Sequence, residues 1–292
     1  MILYADLVPE LPEVETIARG LAKRLSGDVI DSVWIGSRKQ PLKSPAATIV
    51  RVLEGKRILR VHRAGKHIVV ELEDGPGKER RPHTLPETGQ APSLPSQWIV
   101  HLGMTGRLVV VEPAAEIVKH THLIATLASG RELRFIDPRM FGKLSVHASG
   151  FDPGGIEPLE IGQEQFYSLF RGRKTPIKSA LLNQKLVRGV GNIYADEALF
   201  RAGIRPRRRA ATIHRRQFLA LHRAVQEVLR EAIALGGSSI SDYVDADGEE
   251  GFFQLEHRVY GRAGEPCRIC GTEIKRVVLG GRSSHYCPKC QK

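Results

Sequence analysis

Four cysteines near the end of the chain constrain its folding more than any other feature. Cys267 and Cys270 form one Cys-x-x-Cys pair, and Cys287 and Cys290 form a second. The gap between the pairs falls inside the roughly 15–20-residue window of two knuckles sharing one tetrahedral metal. So short a segment cannot bury a core of its own, so a crosslink must fold it. Two disulfides would serve, and so would one zinc ion. The lead Met1 to Val8 is too short for a secretory signal, lacks a basic start and carries Asp6. No apolar run approaches the ~20 residues of a bilayer span. A reducing compartment is therefore expected, which disfavours disulfides. The expectation is one structural Zn2+ on Cys267, Cys270, Cys287 and Cys290.

At 292 residues, 41% hydrophobic and 26% charged, the chain suits two globular domains with their own cores. Val14, Ile17, Leu21 and Leu25 keep helical spacing, with Pro12 near the first turn and Gly27 at the stop. Short β-branched segments follow at 29–35, 57–62, 67–72, 98–102, 107–111, 122–127 and 132–136. Gly, Asp and Pro turns separate them, which suggests a mostly antiparallel sandwich. The stretch 75–97 is rich in Pro and Gly and has no apolar period, so it reads as a loop insertion. Its Lys78, Arg80 and Arg81 either touch an anionic partner or are simply solvated. Residues 149–162 read as a linker. Helical patterns then occupy 163–171, 176–184, 192–201 and 215–235, the last with Phe218, Leu221, Val225, Val228, Ala232 and Leu235 on one face and Gly236-Gly237 at its end. The polar stretch 238–256 reads as a loop before the cysteine module.

Lys and Arg total 44 against 32 Asp and Glu, a net charge of +12. So large a surplus points to a polyanion, most simply nucleic acid, unless the charge only maintains solubility. Gly189-Val190-Gly191-Asn192 permits a tight turn in which Asn192 is placed to cap the next helix. A helix start also suits a phosphate. By itself this is an ordinary helix–turn–helix connection.

Several strings, taken together, resemble one family. They are Pro9-Glu10-Leu11-Pro12-Glu13-Val14-Glu15-Thr16, His101-Leu102-Gly103-Met104-Thr105-Gly106, Asp137-Pro138-Arg139-Met140-Phe141-Gly142, the Gly-Val-Gly-Asn turn, and Tyr260-Gly261-Arg262 through Cys287. In order, they are similar to the formamidopyrimidine-DNA glycosylases, the Fpg/MutM family of base-excision repair enzymes. The resemblance runs from Pro9 to Lys292, interrupted mainly at 75–97. It implies an α+β multidomain fold: a catalytic antiparallel β-sandwich with a leading helix over 9–148, a helix-two-turn-helix bundle over 163–257 with a lesion-capping loop at 237–256, and a zinc-ribbon finger over 258–292. It also implies roles for named residues. Pro9 would be the nucleophile and Glu10 the general acid/base. Lys66 would donate a proton near the opened sugar, and Arg282, on the finger hairpin, would contact phosphate and serve late elimination. Lys178 and Asn192 would hold backbone phosphates. Met104, Arg139 and Phe141 would fill the hole left by an extruded nucleotide; apart from the resemblance, Met104 and Phe141 read as core side chains, although the flanking Gly-rich turns and polar neighbours favour exposed tips. His120 and Arg173 occupy further DNA-contacting positions. Glu13 either orients the N-terminus or merely satisfies the helix dipole.

The implied chemistry has a physical rationale. An α-amino group titrates near ~8, against ~10.4 for lysine, so more of it is neutral at physiological pH. A secondary amine that captures C1′ forms an iminium, which stays charged without protonation and acts as an electron sink for β- and then δ-elimination. An acylated proline has no such lone pair, and Met1 to Val8 precede Pro9 here. Val8 is compatible with a GUG start, so translation from position 8 followed by clipping before Pro9 is the expectation. The implied activity is excision of 8-oxoguanine and formamidopyrimidines from damaged double-stranded DNA by a monomer in the bacterial cytoplasm, associated with the nucleoid. Two alternatives stay open: the sister endonuclease VIII branch for oxidised pyrimidines, which Leu11 and the long capping loop disfavour, and a non-catalytic lesion-binding protein if residues 1–8 are retained.

Overall fold

The computed structural model describes residues 8–75, 96–148, 150–238 and 251–292. Residues 1–7 of the lead, most of the 75–97 insertion, Ser149 and the middle of the expected capping loop lie outside the described residues. Two compact units emerge, one built on Val14–Asp152 and the other on Glu10–Glu13, Pro153–Ser239 and Gly251–Lys292.

The first unit holds most of α1 (Leu11–Leu25), then β1 (Ile30–Ile35), α2 (Ala46–Leu53), β2 (Lys56–Ala64), β3 (His67–Asp74), β4 (Ser96–His101), β5 (Arg107–Val111), β6 (Thr121–Leu127), β7 (Glu132–Ile136) and β8 (Lys143–His147). The strands form two four-stranded sheets, ordered β1-β6-β7-β5 and β2-β3-β4-β8, with every ladder antiparallel. All seven strands expected from alternation are present; β8 and α2 are additions. One core runs from the α1 stripe of Val14, Ile17, Leu21 and Leu25 through Ile68, Val70, Trp98, Val100, Leu123 and Phe135. The helix stripe and the inward strand positions are thus the two halves of one buried layer.

The second unit contains α3 (Gln163–Phe170), α4 (Ile177–Leu181), α5 (Asn192–Arg201), α6 (Arg215–Ala234) and the hairpin β9 (Lys275–Leu279) with β10 (Arg282–Tyr286). Phe166 and Phe170 of α3 pack on each other, and Phe170 stacks over Phe218 of α6. The apolar face of α6 is buried from Phe218 to Ala232, as its period predicts. Leu235, expected on that face, is instead the C-cap residue and is exposed, because the chain leaves the helix into two glycines with positive φ. α4 is shorter than the expected 176–184, since the Asn183–Gly189 turns replace its last residues. The end of the expected loop, Phe253–Glu256, forms a short 3-10 turn.

Candidate functional site

In the second unit, the site begins at the start of α1. Glu10 occupies the N-cap position and Glu13 lies three residues further on. One Glu13 oxygen, Oε2, accepts the Glu10 N–H at 2.9 Å, the reach-back half of a capping box. The other, Oε1, accepts the Ser238 N–H at 2.8 Å and the Tyr194 hydroxyl. Glu13 therefore does more than satisfy the helix dipole: it fixes the peptide that joins Pro9 to Glu10. Burial pushes its carboxyl above the usual carboxylate range, and the donated hydrogen bonds oppose that shift. Pro9 itself is half-buried.

Glu10 is 3% exposed, and its Oε1 accepts the Ile193 N–H at 3.1 Å. That N–H belongs to the first turn of α5, where a capping side chain would normally bond. Glu10 thus caps α5 from outside, and the expected cap by Asn192 is not made. Gly191 holds the N-cap position, and Asn192 is the first helical residue. A Cβ on Gly191 would lie 2.0 Å from Glu10 Cδ, so the carboxylate requires glycine there. Asn192 turns its Nδ2 to Ser283 Oγ, at 3.3 Å.

Ser283 follows Arg282 in β10, and Lys178 reaches it as well. The Lys178 ammonium donates to the Ser283 carbonyl at 2.6 Å and pairs with Asp196 Oδ1 at 2.7 Å. Lys178 is 1% exposed. Burial lowers its amine pKa, the negative Asp196 and Glu10 work against that, and Arg282 adds to it. Lys178, Asn192 and Arg282 are thus gathered about one hairpin, with Glu10 in electrostatic reach. Arg173 is exposed, and its Nε donates to the Leu169 carbonyl. The sequence reading missed two buried acids of α5. Asp196 Oδ2 accepts the His285 N–H at 2.8 Å, and Glu197 takes the N–H groups of Arg258, Val259 and Tyr260. Adjacent acids in an otherwise apolar stretch, Ile193 to Phe200, were the available signal.

The first unit gathers the remaining candidates. Asp137 is fully buried; its Oδ1 accepts the Thr105 hydroxyl at 2.6 Å and the Arg139 N–H at 3.3 Å, and its Oδ2 accepts the Gly142 N–H at 2.7 Å. One carboxylate therefore pins the Met104 turn to the turn carrying Arg139 and Phe141. The two turns meet at glycine: a Cβ on Gly103 would stand 2.5 Å from the Gly142 nitrogen. Phe141 is 52% exposed, with the Arg139 guanidinium 5.1 Å from its ring centre, and Met104 is half-buried. Phe141 is consequently a tip and not a core residue. His120, at φ 70°, gives its carbonyl to the Asp137 N–H at 3.0 Å. Lys66 sits in the tight turn between β2 and β3. The neighbouring His101 accepts the Gly103 N–H on Nδ1 at 3.0 Å; burial first, then His67, Lys143 and Lys66, holds its imidazole down at about 4. His101 is thus neutral at physiological pH, with its hydrogen on Nε2. It belongs with these residues, although the sequence reading gave it no role.

The four cysteine sulfurs lie within 4.8 Å of one another and none forms a disulfide. Cys267 and Cys290 are 3.9 Å apart and Cys270 and Cys287 3.5 Å. Thiolates about 2.3 Å from zinc make a tetrahedron with edges of about 3.8 Å, so the set fits one structural zinc ion. The Cys290 N–H points at Cys287 Sγ, the kind of outer hydrogen bond that steadies a zinc thiolate.

Three family models match the chain in order: the formamidopyrimidine-DNA glycosylase N-terminal domain over residues 8–144, its H2TH domain over 155–244, and the zinc finger found in FPG and IleRS over 264–292. The formamidopyrimidine-DNA glycosylase of Solibacter usitatus is 45% identical over 289 residues, covering 98% of this chain and all of the relative. That of Pseudomonas putida is 40% identical over 292 residues, with the same coverage. Among solved structures, a Lactococcus lactis FPG variant bound to Fapy-dG-containing DNA superposes with a TM-score of 0.83 at 32% identity, over 97% of this chain and 100% of that one. The MutM (FPG) protein of Thermus thermophilus gives 0.81 at 38% identity, over 97% and 98%. With its carboxylate-capped turn, its finger hairpin and its four-cysteine centre in these matched segments, the chain belongs to the formamidopyrimidine-DNA glycosylase family.

Proposed function

We propose that this protein is a base-excision repair enzyme, a bifunctional DNA glycosylase and AP lyase that removes 8-oxoguanine and formamidopyrimidines from duplex DNA. The observation that carries the reading is the buried pair Glu10 and Glu13, placed immediately after Pro9 and braced on α5. The Lactococcus lactis relative bound to Fapy-dG-containing DNA supports the substrate class.

In the mechanism, the Pro9 nitrogen attacks C1′ as the C1′–N bond to the base breaks, and the base leaves with a proton. Glu10, held against the start of α5, passes a proton to the sugar ring oxygen as the ring opens and the iminium forms. The iminium acidifies C2′; loss of that proton expels the 3′ phosphate, and a second elimination expels the 5′ phosphate. Hydrolysis then frees the proline. Lys66 donates near the opened sugar, Lys178 and Asn192 hold backbone phosphates, Arg173 and His120 contact the DNA, and Arg282 contacts phosphate and serves the late elimination. Met104, Arg139 and Phe141 occupy the vacated stack. The zinc ion, bound by Cys267, Cys270, Cys287 and Cys290, holds the hairpin and takes no part in the steps.

This chemistry needs Pro9 as a free N-terminus, so residues 1–8 have to be absent from the working protein, which we read as a monomer of the bacterial cytoplasm. Base selection falls to the loop at 237–256. Borohydride trapping on duplexes bearing 8-oxoguanine or thymine glycol tests the reading. A covalent adduct formed faster with 8-oxoguanine supports it. A preference for thymine glycol would favour the endonuclease VIII-like reading. No adduct from a protein whose intact mass retains residues 1–8 would favour a non-catalytic lesion binder.

A further inference from the structure

Asp196 has no role in the reaction described above, yet it is fully buried and lies against a buried lysine. We propose that Asp196 is a positioning residue that keeps the Lys178 side chain charged and fixed beside the finger hairpin, and that it reaches DNA only through Lys178. The inference rests on Lys178 as a phosphate ligand.

An ammonium withdrawn from water gives up its proton unless an anion or several acceptors compensate. The Lys178 ammonium donates to the Ser283 carbonyl at 2.6 Å and is ion-paired with Asp196 Oδ1 at 2.7 Å. The charged groups acting on it come from three directions. Asp196 stands on α5 and Glu10 at the start of α1, and both favour the ammonium. Arg282 on β10 opposes it, as does burial, which is the largest influence and lowers the amine pKa. His285 of β10 touches the far side of Asp196. Asp196 is therefore the anion in direct contact, and its freedom is limited: Oδ2 accepts the His285 N–H at 2.8 Å, so the carboxylate cannot swing away from the lysine. Without that charge, the balance tips toward a neutral amine, which no longer attracts a phosphate by charge. A purely structural Asp196, tying α5 to the hairpin, would show no such dependence on pH.

The test is a single-turnover pH profile on an 8-oxoguanine duplex with the natively expressed, zinc-loaded chain, compared with Asp196→Asn, Lys178→Met and the double variant Asp196→Asn/Lys178→Arg. In Asp196→Asn the alkaline limb should move to lower pH by roughly one to three units, the range over which an adjacent opposite charge shifts a neighbour. At the acid end the rate should stay within a few-fold of the unsubstituted protein. The double variant, whose guanidinium keeps its proton throughout, should lack the displaced limb. A uniform loss at every pH, or an unmoved limb, overturns the proposal. Should Asp196→Asn fail to fold or bind zinc, the ε-carbon resonance of Lys178 in the unsubstituted protein decides, assigned by its absence in Lys178→Met. An ammonium at pH 7 is expected, and a neutral amine there overturns the proposal. Lys178→Met separates this inference from its foundation. If it turns over like the unsubstituted chain, the phosphate-ligand reading falls and this inference with it. If it is impaired while the Asp196→Asn limb stays put, only this inference falls.

Discussion

At the scale of single residues, function is written most densely where a backbone position has no room for a side chain. Gly191 is such a place, because a methyl group there would overlap the Glu10 carboxylate, 2.0 Å from its Cδ. Gly191→Ala should displace Glu10, break its bond to the Ile193 N–H, and slow single-turnover excision about 100-fold, the lower range for losing a positioned acid/base. Zinc content should not change. An unchanged rate would show that Glu10 is not held where the chemistry needs it. The Gly-Val-Gly-Asn string was legible as a tight turn, but the identity of the cap was not. Asn192 is the stronger capper by type; it lost the position because a carboxylate distant in sequence already takes the N–H a cap would have bonded. Local preference yielded to a tertiary partner, which no window of neighbouring residues contains.

At the scale of elements, the sandwich was the legible part. Its strands alternate and are bounded by turn residues, so all seven expected strands are found within two residues at each end. The two missed elements have physical reasons. α2 carries Thr48, Ile49, Val50 and Val52, whose β-branching disguises a helix, and its N-cap is Pro45 without a side-chain bond. β8 is short and half polar, and it shows itself only by pairing with β4. The role of Asp137 was equally hidden: the motif was visible, but not that one carboxylate takes donors from both turns. Asp137→Ala should take the acceptor from the Thr105 hydroxyl and the Gly142 N–H, leave the Arg139 N–H only Thr105 Oγ1 at 3.3 Å, and release both turns, lowering stability by about 2–4 kcal/mol in a thermal melt. Excision of 8-oxoguanine should fall further than trapping on an abasic duplex, where there is no base to extrude. Equal losses on both substrates would argue against a role for these turns in extrusion.

At the scale of the whole molecule, two global conditions should expose how the parts are held. The finger core consists of little more than Phe200, Val259 and Ile274 with the buried cysteines, so the metal supplies much of its folding free energy. Chelation should unfold the hairpin, free Lys178 and Asn192 from Ser283, and abolish duplex binding, while circular dichroism retains the strand signal of the first unit. Binding that survived verified zinc loss would contradict this. Acid is the second condition. Burial holds His101 of the first unit and His257 of the second down at about 4, against 6.5 when unfolded. The unfolded chain therefore takes up protons before the native one does, so the stability present above pH 6.5 should drain away as the pH falls toward 4. Each histidine can contribute on the order of 3 kcal/mol to that loss. A denaturation midpoint flat between pH 7 and 4.5 would refute it. The most direct measurement of the central claim is borohydride trapping on an 8-oxoguanine duplex, followed by mass spectrometry of the crosslinked peptide. The deoxyribose remnant should sit on the nitrogen of Pro9 as a free N-terminus; a remnant on a lysine, or an adduct on a chain that still carries residues 1–8, would overturn the mechanism.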